Sequence, residues 1–237
     1  KRFLHETPSY WTGWARELAI PFEWQEAVIR SAITLKLCSY EETGAIVAAL
    51  TTSIPEAPNT VRNWDYRYCW LRDSYFTVHA LNRLGATRTM EHYVRFLLDT
   101  VVREGASTLD PLYPIQSRTD LREYEAPALA GFRGMGPVRV GNAAAQQQQN
   151  DVYGSIVLSS AQIFYDSRIP SIGGESLYRR LSPLGEAALK NALLPDAGLW
   201  EYRGRTSVFT YSAAMCWAAA HRLSMIAQTV GAADEAV

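Results

Sequence analysis

The sequence is poor in the residues that mark several classes of protein. Its three cysteines are widely spaced and odd in number, which excludes a disulfide framework and predicts three buried thiols. Its four histidines show no metal-ligand spacing, so we predict neither a metal nor a cofactor. No uncharged run is long enough to cross a bilayer, and the first residues include no apolar segment of a signal peptide. We therefore expect a cytoplasmic protein, although Lys1 in place of an initial Met leaves the true N-terminus open.

An excess of charge of either sign is also lacking. The chain has 23 Lys and Arg against 24 Asp and Glu, a net charge of −1, with no strongly basic or acidic block. Nucleic acids and anionic membranes bind through concentrated basic patches, so we exclude both as main partners. What the chain has instead is 7 Trp and 13 Tyr against 7 Phe. Because Trp and Tyr carry a polar group on the ring, this surplus favours half-hydrated cavities over dry core.

The segment from Asn63 to Asp73 concentrates these aromatic residues together with charge. Its eleven residues include two Asp, two Arg, two Trp and two Tyr. Aromatic faces stack on sugar rings, while carboxylate and guanidinium groups form charge-assisted hydrogen bonds with hydroxyls. The segment therefore predicts the wall of a polar, aromatic-lined pocket. A satisfied aromatic and ion-pair cluster inside a helical domain is the structural alternative, and composition does not decide between them.

The pattern of apolar residues predicts an all-α protein with long aromatic-rich loops. We expect Asp73 to cap the second helix, Gly85 and Gly105 to close the second and third, and Pro183 to lie in the first turn of the fifth. The first 22 residues and residues 106–150 are expected to be irregular, and residues 44–50 to be extended and buried. Helical spacing of apolar positions predicts six helices: residues 25–40, 73–84, 87–103, 151–165, 183–193 and 207–230.

The second, fourth and sixth predicted helices share one property, since each follows a connection rich in aromatic and charged residues. If alternate helices form an inner ring, the three connections gather at one end of it. The N-termini of the inner helices would then direct their partial positive charge toward a shared site.

Five motifs, in this order along the chain, resemble those of glycoside hydrolase family 15, which contains glucoamylases, glucodextranases and bacterial trehalases. The resemblance runs from about Trp11 to the end of the chain. The five motifs are Thr-Thr-Ser-Ile-Pro-Glu at residues 51–56, the 63–73 segment, Pro-Val-Arg-Val-Gly-Asn-Ala-Ala at 137–144, Gln-x-Gln-x-Asp-Val-Tyr-Gly at 147–154 and Gly-Leu-Trp-Glu-Tyr-Arg-Gly at 198–204.

The resemblance implies an (α/α)6 barrel, in which an outer ring of six helices surrounds an inner ring of six. With about six of the twelve helices, residues 23–237 would be the first half of this catalytic domain, an incomplete barrel. Residues 1–22 would be a linker or lead-in from a missing N-terminal β-sandwich domain. Half a barrel exposes the inner faces of its helices, so we expect self-association through those faces.

The resemblance also implies hydrolysis of α-linked glucosides with inversion, carried out by two glutamates. The family's general acid follows the Trp of a Leu-Trp-Glu motif, which is Glu201 here. The family's general base lies far downstream of that motif, beyond Val237, so we expect this chain alone to be inactive. The expected partner is a glucose-containing oligosaccharide or disaccharide, and the sequence does not choose between dextrins, isomaltose or dextran, and trehalose.

The remaining site residues follow from the same motifs. Arg72 and Asp73 match an Arg-Asp pair that grips the hydroxyls of the terminal glucose, and Tyr66 matches an aromatic near the developing cation. The other residues predicted to bind substrate are Trp70 and Trp200 as pocket walls, Arg139 by a looser match to a binding arginine, and Arg203.

Structural and functional alternatives remain at this stage. For Glu201, the structural alternative to catalysis is an ion pair with Arg203 or Arg205. For Arg72, the alternative to sugar binding is an ion pair with Asp65 or Asp73. The competing function is a non-catalytic sugar-binding or assembly protein that keeps the glucose-gripping residues but lacks the base. An unrelated helical-toroid enzyme such as a polysaccharide lyase is disfavoured, because no Tyr, His and Arg base constellation is visible.

Overall fold

The computed structural model describes residues 2–102, 109–116, 120–169, 173–232 and 234, and it is mostly helical. Two short antiparallel ribbons join β1 (Cys69–Trp70) to β2 (Leu112–Tyr113) and β3 (Tyr124–Glu125) to β4 (Arg139–Val140). A π-helical turn (Leu97–Val101) extends α4, and a 3-10 turn (Ala143–Gln146) precedes α5. The α-helices of the described residues are α1 (Arg2–Arg16), α2 (Gln25–Leu37), α3 (Leu71–Arg83), α4 (Thr87–Phe96), α5 (Val152–Tyr165), α6 (Glu175–Asn191) and α7 (Thr210–Val230).

The helices form two layers around one main apolar core. Helix α5, the most buried, contacts α3 and α7, and these three make one layer. Helix α4 packs on α3 and α5, and helix α6 packs on α5 and α7, as a second layer. Helices α5 and α7 approach closely at Gly154, where an added Cβ would lie 2.5 Å from the carbonyl oxygen of Met215. The alternation predicted for the second, fourth and sixth helices is thus present in α3, α5 and α7.

The segment at residues 44–50 links the helices to the aromatic segment, as an extended and largely buried strand-like stretch. Residues 45–47 are buried, and the amides of Ala48 and Ala49 donate to the carbonyls of Tyr68 and Tyr66 at 3.0 and 2.9 Å. Just beyond, β1 pairs with β2, and the amide of Leu71 donates to the Pro111 carbonyl at 3.1 Å. These backbone bonds fix the residues that directly precede α3.

The prediction that the first 22 residues are irregular is wrong, because Arg2–Arg16 forms helix α1. No residue of α1 is buried, and Pro8 lies inside the helix. Apolar residues such as Phe3, Tyr10 and Trp14 do recur at helical spacing, but Pro in the middle of the segment is typical of a helix break.

Two predicted helix starts are also wrong. Helix α6 begins at Glu175, so Pro183 lies in its interior and not in its first turn. Pro lacks the N–H that would bond the carbonyl of Arg179, and the Ser182 hydroxyl donates to that carbonyl at 3.5 Å instead. Helix α3 begins at Leu71, so Asp73 lies within its first turn and is not the N-cap.

One prediction at a helix end is confirmed. Gly85 follows α3 with a left-handed φ of 88°, as expected of a helix-closing glycine. The α-helical part of the third predicted helix ends at Phe96, and Gly105 lies outside the described residues.

Cys69 and Cys216 are buried free thiols, whereas Cys38 is only half-buried. Among the helices of the described residues, none is both long and apolar enough to span a membrane.

Candidate active site

A cavity of about 850 Å³ lies where the connections before α3, α5 and α7 meet. Its lining includes residues of the aromatic segment and of the loops that precede α5 and α7. The structure therefore brings together residues that are up to 147 positions apart in the chain, from Glu56 to Arg203. All eight site residues predicted from the sequence line this cavity: Tyr66, Trp70, Arg72, Asp73, Arg139, Trp200, Glu201 and Arg203.

Glu201 is held in this cavity by one of its two carboxylate oxygens. Its Oε1 accepts hydrogen bonds from Trp70 Nε1 at 2.6 Å, Arg72 Nη2 at 3.1 Å and Gln149 Nε2 at 3.2 Å. Among the described residues, none donates to Oε2. The side chain is 21% exposed, so Oε2 is available to a molecule bound in the cavity. The ion pair considered with Arg203 or Arg205 is not formed by these residues, since Glu201 pairs with Arg72.

The backbone at Glu201 is left-handed, with a φ of 55°. This conformation is uncommon for a residue with a Cβ and costs roughly 1–2 kcal/mol. The Gln147 amide holds the turn by donating to the carbonyls of Glu201 and Tyr202 at 3.2 and 3.5 Å. Within the turn, the Glu201 amide donates to the Gly198 carbonyl at 3.0 Å. The surrounding hydrogen bonds therefore impose the strained backbone that carries the carboxylate.

The loop before α5 positions the amides that reach Glu201. The Asn142 side chain caps the 3-10 turn by accepting from the Ala144 amide at 2.9 Å. Directly after that turn, Gln149 Nε2 also donates to Gln147 Oε1 at 3.1 Å, which fixes the orientation of both amide groups. Gln147 and Gln149 belong to a motif that the sequence displays, but their contact with Glu201 was not predicted.

Arg72 is the centre of a second set of contacts, which we call the Arg72 cluster: Arg72, Asp73, Gln149, Asp151 and Glu201. Its Nη1 donates to Gln149 Oε1 at 2.9 Å and to Asp151 Oδ2 at 3.2 Å, and its Nε lies 4.0 Å from Asp73 Oδ2. The guanidinium is 14% exposed and faces three carboxylates. The partner considered from the sequence, Asp65, instead forms a two-bond pair with Arg67 at 2.8 Å.

Burial and charge act in opposite directions within the Arg72 cluster. Burial alone lowers the pKa of Arg72, but the charges of Asp151, Glu201 and Asp73 raise it above its ordinary value. Burial raises the pKa of Asp73. The positive charge of Arg72 opposes this rise, and the negative charge of Glu201 adds to it. Although the Asp73 side chain is 46% exposed, that surface opens into the cavity, whose walls limit hydration. Burial likewise raises the pKa of Asp151 despite the opposing charge of Arg72.

Behind Arg72 lie two fully buried carboxylates. Asp151 precedes α5, and Asp196 accepts from the Asn150 amide and the Ser212 hydroxyl, each at 2.7 Å. One oxygen of each carboxylate, Oδ1, has no hydrogen-bond partner among the described residues. Two carboxylates are buried here, and a single guanidinium, that of Arg72, separates them from the cavity. Burying this much negative charge costs free energy of folding, so this region is not arranged for stability alone.

Aromatic side chains supply the rest of the cavity wall. The Tyr66 and Trp70 ring centroids lie 5.6 Å apart, with their planes tilted by 53°. Burial, with the charges of Glu56, Glu201 and Asp73, raises the pKa of Tyr66 to about 12, so its hydroxyl stays protonated at neutral pH. Trp70 is buried, whereas Trp200 is 67% exposed. Trp70 therefore forms the floor of the cavity and Trp200 part of its rim.

A third group of contacts, which we call the Trp64 cluster, was not predicted from the sequence. The guanidinium carbons of Arg203, Arg139 and Arg62 lie 4.0, 4.9 and 5.9 Å from the centre of the Trp64 ring. Trp64 Nε1 also donates to Glu56 at 2.7 Å. The members of the Trp64 cluster are Trp64, the arginines Arg62, Arg139 and Arg203, and the carboxylates Glu56, Glu123 and Glu125.

Arg139 and Arg203 line the cavity but bind mainly to protein groups. Arg139 Nη1 donates to the carbonyls of Val61 and Asn63 at 2.8 and 2.9 Å, and its Nε lies 3.4 Å from Glu123. Both terminal nitrogens of Arg203 donate to Glu123, at 2.9 and 2.6 Å. These contacts anchor both guanidinium groups to the wall of the cavity.

Comparison with known proteins gives one family. The sequence model described as glycosyl hydrolases family 15 matches residues 24–237. The chain is 38% identical over 236 residues to a trehalase of Mycobacterium tuberculosis, covering 96% of this chain and 34% of that protein. It is 35% identical over 228 residues to a trehalase of Thermoplasma acidophilum, covering 96% and 38%. It is also 37% identical over 187 residues to trehalase 1 of Sulfolobus acidocaldarius, covering 79% and 33%. The chain thus spans about a third of the length of these relatives.

Proposed function

Because the chain belongs to glycosyl hydrolases family 15, we propose that its protein hydrolyses α-linked glucosides with inversion, and that trehalose is the substrate. The choice of trehalose is supported by relatives that are named trehalases. The observation that carries the proposal is the state of Glu201. Three donors hold its Oε1, whereas Oε2 has no donor among the described residues and borders the cavity.

Glu201 acts as the general acid in this proposal. Its Oε2 carries the proton, because Oε1 is already occupied by three donors. The proton moves to the glycosidic oxygen as the bond from that oxygen to the anomeric carbon breaks. A second carboxylate removes a proton from the water that attacks the opposite face, and inverting enzymes hold the two carboxyls roughly 6.5–9.5 Å apart. We assign this base to a part of the protein outside these 237 residues.

The other residues of the cavity bind and orient the sugar. Arg72 and Asp73 present charged groups to the hydroxyls of the terminal glucose, and Tyr66 and Trp200 offer aromatic faces to the ring. Trp70 acts indirectly, because its Nε1 donates a hydrogen bond that holds Oε1 of Glu201. Arg139 and Arg203, which the sequence predicts as substrate-binding, act mainly by bracing the wall, since their bonds go to protein groups.

The fold proposal follows from the two helix layers. We assign α3, α5 and α7 to the inner ring of an incomplete (α/α)6 barrel, with residues 23–237 as its first half. Residues 1–22 then lead in from a preceding β-sandwich domain. Phe76 on α3 and Trp217 on α7 are 54% and 65% exposed. Such apolar surface favours association with the rest of the barrel or with a second copy, so the isolated chain should self-associate and be inactive.

The test is Glu201→Gln in the full-length protein. Loss of the acid should lower kcat for trehalose by roughly 100-fold to 10,000-fold, while sugar binding measured by calorimetry largely survives. Glu186→Gln, on the exposed side of α6, is the matched control and should retain wild-type turnover. Before mutarotation, proton NMR should show equal amounts of β-glucose, from the carbon that water attacks with inversion, and α-glucose, from the leaving group; retention would give α-glucose alone.

Two outcomes would contradict the proposal. Near wild-type turnover by Glu201→Gln removes that residue from the chemistry. Binding of trehalose without hydrolysis by the wild-type protein supports the alternative, a non-catalytic sugar-binding protein. Faster hydrolysis of maltose or isomaltose than of trehalose would overturn only the substrate.

A further inference from the structure

Glu123 does not line the cavity, yet it joins three segments that surround it. Its Oε1 and Oε2 accept from the two terminal nitrogens of Arg203 at 2.9 and 2.6 Å. Its Oε2 also accepts from the Ala143 amide at 3.2 Å, and its Oε1 lies 3.4 Å from Arg139 Nε. The side chain is only 15% exposed. A single carboxylate therefore ties the loop after Glu201 to β4 and to the 3-10 turn before α5.

The link from Glu123 to Glu201 is short. Arg203 is two residues beyond Glu201, and its planar guanidinium lies 4.0 Å from the centre of the Trp64 ring while it forms two parallel bonds to Glu123. Such a two-bond pair fixes both direction and distance. Between Glu201 and Arg203, the Gln147 amide holds the carbonyls of Glu201 and Tyr202. The residues that directly follow Glu201 are thus held at two points.

Glu123 also contacts the segment that leads to Gln147. Glu123 accepts a hydrogen bond from the Ala143 amide, which belongs to the 3-10 turn. This turn leads directly to Gln147. Burial raises the pKa of Glu123, but the bond and charge of Arg203, the Ala143 amide and Arg139 outweigh it and lower that pKa below its ordinary value. Glu123 is therefore ionised at neutral pH, and its bonds are charge-assisted.

We propose that Glu123 is a positioning residue for protonation of the leaving group, acting through Arg203 on the turn that carries Glu201. This inference rests on the proposed function. Without the Glu123–Arg203 pair, the turn relaxes and Glu201 Oε2 moves away from the glycosidic oxygen. Transfer of the proton depends steeply on that distance, so the loss falls on bond cleavage and less on sugar binding.

The dependence of turnover on the leaving group tests this role. Cleavage of trehalose expels a sugar hydroxyl, which needs the proton from Glu201, whereas α-glucosyl fluoride expels fluoride, which needs little protonation. In the full-length protein, Glu123→Gln should lower kcat for trehalose by about 10-fold to 100-fold. Its KM for trehalose should change less than about threefold, and so should its kcat for the fluoride.

Two further variants complete the design. Arg203→Lys keeps the positive charge but cannot form two parallel bonds, so it should give a smaller loss with the same preference for the fluoride. Asp120→Asn is the matched control, because Asp120 pairs with Arg122 at 2.6 Å in the same segment but is 58% exposed. It should leave both substrates within about threefold of the wild type.

Each outcome has one meaning. Equal losses on trehalose and fluoride in the Glu123 and Arg203 variants would show a merely structural role and overturn the inference. Unchanged trehalose turnover in both variants would also overturn it. A wild-type protein that hydrolyses neither substrate refutes the proposed function, and with it this inference. Wild-type turnover without the predicted selectivity in the variants refutes the inference alone.

Discussion

The Arg72 cluster and the Trp64 cluster border the same cavity but match their charges differently. In the first, one guanidinium faces three carboxylates, Asp73, Asp151 and Glu201. In the second, three guanidiniums and three carboxylates pair around one indole ring, with Arg62–Glu56 at 2.5 Å and Arg203–Glu123 at 2.6 Å. The first is short of positive charge, and the second is balanced.

In the proposed function, this difference separates the residues that face the substrate from those that hold the cavity wall. Burial raises the pKa of Asp73 and Asp151 in the Arg72 cluster, whereas ion pairing lowers the pKa of Glu123 in the Trp64 cluster. Excess buried negative charge is costly in a folded protein and is typical of functional sites. Balanced pairs around an aromatic ring cost little and hold a loop in place. The following variants break or sharpen this contrast.

Arg72→Met should have the largest effect on stability. It leaves Asp151 buried without its cation, and removal of one partner from a buried pair typically costs 3–5 kcal/mol. Urea unfolding of the full-length protein measures the change. The matched control is Arg62→Met in the Trp64 cluster, whose side chain is 61% exposed, and its cost should stay below about 1 kcal/mol. Similar costs for the two variants would contradict the contrast between the clusters.

Trp64→Leu should have an intermediate effect. It removes the ring beneath Arg203 and Arg139 and the donor to Glu56, for a total of about 2 kcal/mol. Trp200→Leu, at the 67% exposed rim, should change the free energy of unfolding by less than about 0.5 kcal/mol. If the two variants were equally stable, the Trp64 ring would not be the support of its cluster.

Asp151→Asn should have the smallest effect and the opposite sign. The folded protein raises the pKa of Asp151, so above the unfolded value of about 3.9 the folded state retains a proton that the unfolded chain releases. Stability from this group therefore falls as pH rises. At pH 7 the neutral variant should melt higher by roughly 2 °C, and the gap should close as the pH falls toward 4.

Glu123→Gln sharpens the same comparison, because the pKa of Glu123 is lowered. Its stability contribution is present above the ordinary Glu pKa and is lost as the pH falls, so this variant should be less stable than the wild type at pH 7. Differential scanning calorimetry between pH 4 and 8 measures both trends. Parallel pH dependence of the two variants would contradict the opposite charge balance of the clusters.

The sequence predicted which residues meet at the cavity better than it predicted their partners. Trp70 and Arg72 lie at the start of α3, and Glu201 lies in the connection that leads to α7, so helix order and motifs suffice to bring them together. The pairing of Arg72 with Asp151 joins two helix starts, and either Asp65 or Asp73 was as plausible from spacing. Side-chain partners depend on rotamers and on the distance between helices, which sequence spacing does not specify.

The Trp64 cluster was beyond sequence reasoning for a different reason. Glu123 and Arg203 are 80 positions apart, and Glu123 precedes a ribbon whose strands have only two residues each. Strands this short carry no alternation of apolar and polar residues, so the stretch before α5 was predicted only as a long irregular loop. Helices α1 and α6 were missed or misplaced because each has an internal Pro, a residue that typically marks a helix start or a break.

The left-handed backbone at Glu201 has a consequence for how this sequence can drift. Glycine at this position would relieve a steric cost of roughly 1–2 kcal/mol, but it would also remove the acceptor shared by Trp70, Arg72 and Gln149. The backbone therefore favours glycine here, whereas the three donors favour a carboxylate. In the proposed function, the need for a proton donor adds to these hydrogen bonds in keeping a glutamate at a position where the backbone alone would favour glycine.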